Sequence, residues 1–153
     1  MGAAASPSYR QDGRTEALAG RSSAKEIGTI MPTEPFMDSQ ITEALELIEQ
    51  DRAQGMEKLR SLAAAGNATA VLYFALNLGE EPNRQVEEID WLLRANDLGF
   101  ADAAWNLAMI YNQNGDFQSV KTWIDRAAEL GNSDAIFIAR MNYDVNKFLA
   151  ARY

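Results

Sequence analysis

Apolar residues recur every three or four positions in three stretches of the chain: Met56, Leu59, Leu62 and Ala63; Val86, Ile89, Leu92 and Leu93; and Val120, Trp123, Ile124 and Ala127. That spacing puts each set on one face of an α-helix. A glycine follows each stretch (Gly66, Gly99 and Gly131), where a helix can end in the left-handed conformation without a Cβ clash. A second helical pattern then begins, carrying Ala70, Val71, Phe74 and Ala75; Ala103, Ala104, Leu107 and Ala108; and Ala135, Ile136 and Ala139. Asp102 and Asp134 fall in the first turn of these second helices and suit the positive helix end. Gly79 with Pro82, and Asn114 with Gly115, break the chain before the next pair, and Asp116 is placed to cap a helix starting near Phe117. No alternating run predicts a strand. The pattern predicts an all-α chain of about three antiparallel helix pairs.

Two further segments bracket the pairs. Asp38 or Ser39 can cap a first helix with Ile41, Leu45 and Ile48 on its inner face and Glu43, Glu46 and Glu49 outside, as an end cap requires. Val145, Phe148 and Leu149 predict a short terminal helix.

The pairs are copies of one another. The three glycines lie 33 and 32 residues apart, and columns counted from them agree. Eight residues before lie Lys58, Trp91 and Trp123; seven before, Leu59, Leu92 and Ile124; four before, Leu62, Ala95 and Ala127. Four after lie Ala70, Ala103 and Ala135; six after, Leu72, Trp105 and Phe137; ten after, Leu76, Met109 and Met141; twelve after, Leu78, Tyr111 and Tyr143.

The block Trp91-Leu92-Leu93-Arg94-Ala95-Asn96-Asp97-Leu98-Gly99, followed by Ala103, Leu107 and Tyr111, resembles the Sel1-like repeat. So does Trp123-Ile124-Asp125-Arg126-Ala127-Ala128-Glu129-Leu130-Gly131, followed by Ala135 and Tyr143. The resemblance covers about residues 55–145, and the tetratricopeptide repeat is the related pattern. The Gly-rich turn between the family's helices is reduced here to Gly115-Asp116 or to Gly79-Glu80-Glu81-Pro82, and Ala75, Ala108 and Arg140 replace a common glycine. The resemblance implies a short right-handed α/α superhelix, a solenoid with a capping helix at each end, acting as an adaptor in protein complexes.

Composition narrows the chemistry. The chain has 153 residues, 47% apolar and 24% charged, which suits one globular domain or a short repeat array. Lys plus Arg is 14 and Asp plus Glu is 22, a formal charge of -8. That balance argues against nucleic acid or an anionic membrane as the partner. Cysteine and histidine are both absent, which excludes disulfides, thiolate nucleophiles, Cys/His zinc sites and histidine-based triads. Residues 1–36 hold four acids and four bases, glycine, proline and small residues without helical period, and read as a disordered tail, so the entire negative excess falls in the repeat domain, 37–153. Met31 or Met37 is an alternative start. Gly2 and Ser6 fit the N-myristoylation pattern, but Pro7 and the lack of a polybasic patch argue against it. No apolar stretch predicts a membrane span or an export signal, so a cytoplasmic location is expected.

Candidate chemistry is sparse. Trp91, Trp105, Trp123, Tyr111 and Tyr143 read as core packing rather than a ligand box. Glu80-Glu81 and Glu87-Glu88 are adjacent acids that cannot face each other on a helix, so they read as surface. Asp144-Val145-Asn146 begins like a calcium loop but continues with Phe148 and Leu149 where ligand and glycine belong. Asn67-Ala68-Thr69 fits a glycosylation acceptor without an export signal to support it. No phosphate-binding glycine loop occurs, and neither a catalytic group, a metal site nor a cofactor is expected. The columns three, seven and eleven residues after each glycine share one helix face and vary between copies: Thr69, Tyr73, Asn77; Asp102, Asn106, Ile110; Asp134, Ile138, Asn142. If the second helices line the concave side, as the resemblance implies, Tyr73, Asn77, Asn106, Ile110, Ile138 and Asn142 are the candidate partner-binding residues. The expectation is a non-catalytic protein–protein interaction module binding another protein or peptide, basic in character given the acidic domain. An inhibitor or immunity-type protein blocking a toxin or enzyme is the alternative reading, and a carboxylate-only hydrolase a third.

Overall fold

The computed structural model describes residue 33 and residues 35–153; the expected tail otherwise lies outside the described residues. Eight helices occur among them: α1 (Ser39–Gln50), α2 (Arg52–Ala64), α3 (Ala68–Leu78), α4 (Gln85–Asp97), α5 (Ala101–Gln113), α6 (Phe117–Glu129), α7 (Ser133–Arg140) and α8 (Val145–Arg152). No strand occurs among the described residues; a single bridge joins Thr33 to Phe100. The helices form two compact units, Thr33–Leu107 and Ala108–Tyr153, divided within α5.

The corner inside each helix pair is the same three times. Gly66, Gly99 and Gly131 have φ of 100°, 93° and 98°, a region open to glycine and costly for residues with a Cβ. That conformation turns two backbone N–H groups back onto the orphan carbonyls of the helix just ended. The Gly66 N–H donates to Ala63 O and the next amide, Asn67, to Leu62 O, both 3.0 Å. Gly99 and Phe100 repeat the pattern onto Asn96 and Ala95, and Gly131 and Asn132 onto Ala128 and Ala127. Gly115, at φ 79°, closes α5 in the same way, with Asp116 donating to Tyr111 O.

The second helix then starts within two residues. Asn67 and Asn132 cap α3 and α7, their Oδ1 atoms accepting from Ala70 N (3.0 Å) and Ala135 N (2.8 Å). The middle copy replaces this asparagine with Phe100, which is 2% exposed and plugs the corner instead. Asp38, Asp51, Asp116 and Asp144 cap α1, α2, α6 and α8 through their carboxylates.

In the unit Thr33–Leu107, α1 packs on α2, α2 on α3 and α3 on α4. Its core holds Ile41, Leu59, Leu72, Phe74, Leu78 and Leu92, all essentially fully buried. Alanines at 70, 75, 95, 103 and 104 are also fully buried, which lets helix backbones approach closely. Glu43, Glu46 and Glu49 of α1 are exposed, as an outer face should be. In the unit Ala108–Tyr153, α6 packs on α7 around Val120, Trp123, Ile124 and Ile138. Trp123 is buried, and its indole N–H has no hydrogen-bond partner among the described residues. The large apolar area of the ring offsets that loss.

One close approach was invisible in the pattern. Gly55, in the first turns of α2, faces Ile48 of α1; a Cβ there would stand 2.5 Å from the Ile48 backbone nitrogen and 2.7 Å from its Cα. Alanine ordinarily favours a helix over glycine by about 1 kcal/mol. Here the collision is with backbone, so the helices must move apart. Gly55→Ala is expected to lower stability by about 1–3 kcal/mol, the cost of overpacking, rather than raise it. Urea unfolding followed by circular dichroism measures the sign.

Candidate functional site

The predicted partner face divides by copy. In α3, Tyr73 and Asn77 are half-buried, one turn apart, with Asn77 Nδ2 donating to Tyr73 O at 2.8 Å. In α5, Asn106 is half-buried and makes the equivalent bond to Asp102 O, also 2.8 Å. Each asparagine keeps its Oδ1 directed away from this backbone bond, and the columns beside them are buried alanine, phenylalanine and leucine. These three residues fit an accessible face.

The last copy does not. Ile138 is 0% exposed and Ile110 is 6% exposed, so neither is open to a partner. Both belong to the unit's buried core, Ile138 where α6 packs on α7. Arg152 Nη1 of α8 binds Asp134 Oδ1 of α7 at 2.9 Å, and the Phe137 and Phe148 rings meet at 6.0 Å. Asn112 Nδ2, in the last turn of α5, donates to Asn146 Oδ1 of α8 at 2.8 Å. Helix α8 is thus fastened to α7 at Asp134 and Phe137 and to the end of α5 at Asn112, while the two isoleucines gain more from burial in the core than from solvent. Asn142 is exposed but lies beyond α7, which ends at Arg140, and both Asn142 and Tyr143 adopt left-handed φ of 59° and 63°. The expected continuation of the second helix to Tyr143 is thus replaced by a reversal that sends α8 back. The Tyr143 hydroxyl, donating to Asp125 Oδ1 at 2.6 Å, ties the reversal to α6.

Of the five aromatic residues expected in the core, Trp123 is buried, whereas Trp91, Trp105, Tyr111 and Tyr143 are half-buried, with local charge contacts. Trp91 meets Phe74 edge-on at 5.2 Å and lies under the Arg94 guanidinium at 4.3 Å. Burial, together with Asp116, raises the Tyr111 pKa.

An open groove of about 800 Å³ lies in the Thr33–Leu107 unit, lined by Arg52, Met56, Arg60, Phe74, Glu81 and Arg84 among others. Its charges pair internally. Arg52 donates from Nη2 to Asn77 O (2.6 Å) and from Nη1 to Glu80 (3.2 Å), with Nε 3.3 Å from Glu81. Arg84 bridges Glu81 and Glu87, and Arg60 binds Glu87 at 2.8 Å while lying 4.8 Å from the Phe74 ring centroid. Hydrogen bonds from Arg84, then Arg60, hold the Glu87 carboxyl below its ordinary range. Three of the four acids in the adjacent pairs are therefore engaged by arginine. Glu88 differs: burial alone pushes its carboxyl up, and its Oε1 lies against Gly79, where a Cβ would come within 2.6 Å.

The rest of the motif candidates resolve structurally. Asn67 of the acceptor triplet is a helix cap whose Nδ2 also reaches Asp38 Oδ2 at 3.2 Å, and Thr69 is 5% exposed. Among the described residues, no cluster of three or more acids is arranged to hold a metal ion. None of the described helices is long and apolar enough to cross a membrane. Sequence reasoning missed the arginines of the groove: the partners of Arg52 and Arg60 lie 25 or more residues away, although those of Arg84 lie only three away. It also missed the asparagine caps, although their place directly after Gly66 and Gly131 was a readable signal.

No family model, curated protein or solved structure matches the chain.

Two outcomes test this arrangement. Arg52→Lys removes the fork that joins the start of α2 to the end of α3 and to the following turn; a loss of about 1 kcal/mol is expected in urea unfolding, since an ammonium cannot hold three partners in that geometry. Glu88→Gln is expected to stabilise the chain at neutral pH. The folded state raises this carboxyl's pKa, so its penalty is absent below the ordinary carboxylate range, grows as pH rises through the folded value, and is constant above it. The stability difference between Glu88→Gln and the parent chain should therefore shrink on acidification, read as melting temperature against pH.

Proposed function

We propose that the chain is a non-catalytic helical-repeat interaction module of the Sel1-like kind, a short right-handed solenoid that binds another protein or peptide along its second helices. The observation that carries this reading is the face formed by Tyr73 and Asn77 in α3 and Asn106 in α5. Half-exposed, amide-bearing positions stand there among fully buried alanines and leucines. A side chain that both donates and accepts suits recognition of peptide backbone. Core columns must conserve size to keep helices packed, whereas a partner-facing column is free to change between copies, as this one does. The acidic excess of 37–153 favours a basic partner and faster encounter with it. Engagement of Glu80, Glu81 and Glu87 by arginines supports a bracing role for these acids over acid–base chemistry.

Affinity capture with the full chain, quantified by mass spectrometry, tests the reading. A stoichiometric protein partner is expected, retained on Glu46→Ala at the outer face of α1 and reduced at least tenfold on combined Tyr73→Ala, Asn77→Ala and Asn106→Ala. Asn142 is left unchanged in this test, because alanine in its left-handed conformation would strain the backbone. Turnover in a substrate screen with no captured protein would overturn the reading.

A further inference from the structure

A piece of the chain already lies on the start of the second helices. The Thr33 N–H donates to Gly99 O at 3.4 Å, forming a parallel bridge with Phe100 immediately before α5. Three residues on, the Phe36 N–H donates to Thr69 Oγ1 at 2.9 Å, in the first turn of α3. Thr69 and Asp102 belong to the same variable helix face as Asn77 and Asn106. The contacts come from backbone: Phe36 and Met37 are 73% and 45% exposed, so their side chains supply little of the attachment. The receiving surface is shaped to the strand. Gly99 has no Cβ, and one built there would stand 2.6 Å from Thr33 Oγ1. Thr69 is 5% exposed, and its hydroxyl oxygen accepts the Phe36 amide. Phe100 is buried beneath the bridge, so the corner offers a flat backbone edge.

We propose that the first turns of α3 and α5, with the Gly99–Phe100 corner between them in sequence, form a docking site for an extended peptide read through its backbone amides. Thr33 together with residues 35–37 is the occupant held in cis. The proposal rests on the interaction-module reading and adds the chemistry of the ligand: a short extended segment with free N–H groups three residues apart, like the chain's own. Tethering gives the segment a high effective concentration, in the millimolar range for a short flexible link, so it competes with any such peptide offered in trans.

The test uses the full chain and a fluorescein-labelled synthetic peptide with the sequence of residues 33–38. In the double variant Thr33→Pro, Phe36→Pro both donating amides are removed outside any helix. Fluorescence anisotropy should show the peptide binding this variant at least tenfold more tightly than the parent chain, with a peptide carrying the same two prolines failing to bind. Equal affinity for both chains, or no saturable binding to either while helicity is retained, would overturn the proposal. Hydrogen exchange on the parent chain gives an answer even if the variant unfolds. Exchange in a fragment spanning 33–37 should be slower than in the free peptide and should accelerate when excess free peptide is added; exchange as fast as in the free peptide overturns the site. A partner captured through Tyr73, Asn77 and Asn106 alongside a peptide that never binds would sink this site and leave the module reading. Peptide binding without any captured partner would do the reverse.

Discussion

A helix that ends inside a compact array must turn back on itself while leaving few carbonyls unpaired, and in this chain one left-handed residue does both. At Gly66, Gly99 and Gly131 the backbone reverses sign in φ, and two successive amides bond to the final turn they have just left. In the first and last pairs the two helices then pack on each other, with alanines buried along them. The rest of the packing inherits this geometry. Buried alanines matter only because the corner sets the helices close together, and the polar cap that follows at Asn67 or Asn132 is effective only because the corner ends one residue earlier.

Variation on this shared corner produces the differences between copies. Where asparagine follows the glycine, the next helix is capped by a side chain. Where Phe100 follows, the corner becomes an apolar edge with a backbone carbonyl free to receive Thr33. The last copy is closed instead by α8, which is turned back by two left-handed residues and secured by an ion pair, an amide pair and two phenyl rings. In the first unit Thr69, on the variable face, accepts a hydrogen bond from Phe36 of the chain's own preceding segment, and in the second Ile138 is buried in the core. The positions left half-open, Tyr73, Asn77 and Asn106, are the ones on which the proposed interaction rests.

Electrostatics serves the scaffold more than it serves chemistry. Arg52, Arg60 and Arg84 draw Glu80, Glu81 and Glu87 together between helices, and the hydrogen bonds on Glu87 hold its carboxyl below its ordinary range. An ionised, arginine-bound carboxylate is a poor proton donor, which fits a groove used for bracing. Individually such partly exposed pairs contribute little. Arg52 is worth more because its guanidinium also satisfies the Asn77 carbonyl at the end of α3.

Helix class, the three equivalent corners, the caps at Asp38 and Asp116, and the inner faces of α1 and α8 were legible from the sequence because they are local. They depend on period, on glycine's freedom in φ and on short polar side chains within one turn of an amide. The sequence also determined which chemistries are absent from the inventory, since no fold can supply histidine or cysteine. Tertiary structure alone decided what distant segments do to one another. It placed Gly55 against Ile48, drew Arg52 to residues 25 and more positions away, brought Thr33 to Gly99 and Phe36 to Thr69, and buried Ile110 and Ile138. A column's variability marks freedom from packing within one copy; whether that freedom becomes open surface depends on which other segment comes to cover it, and helical spacing contains no record of that.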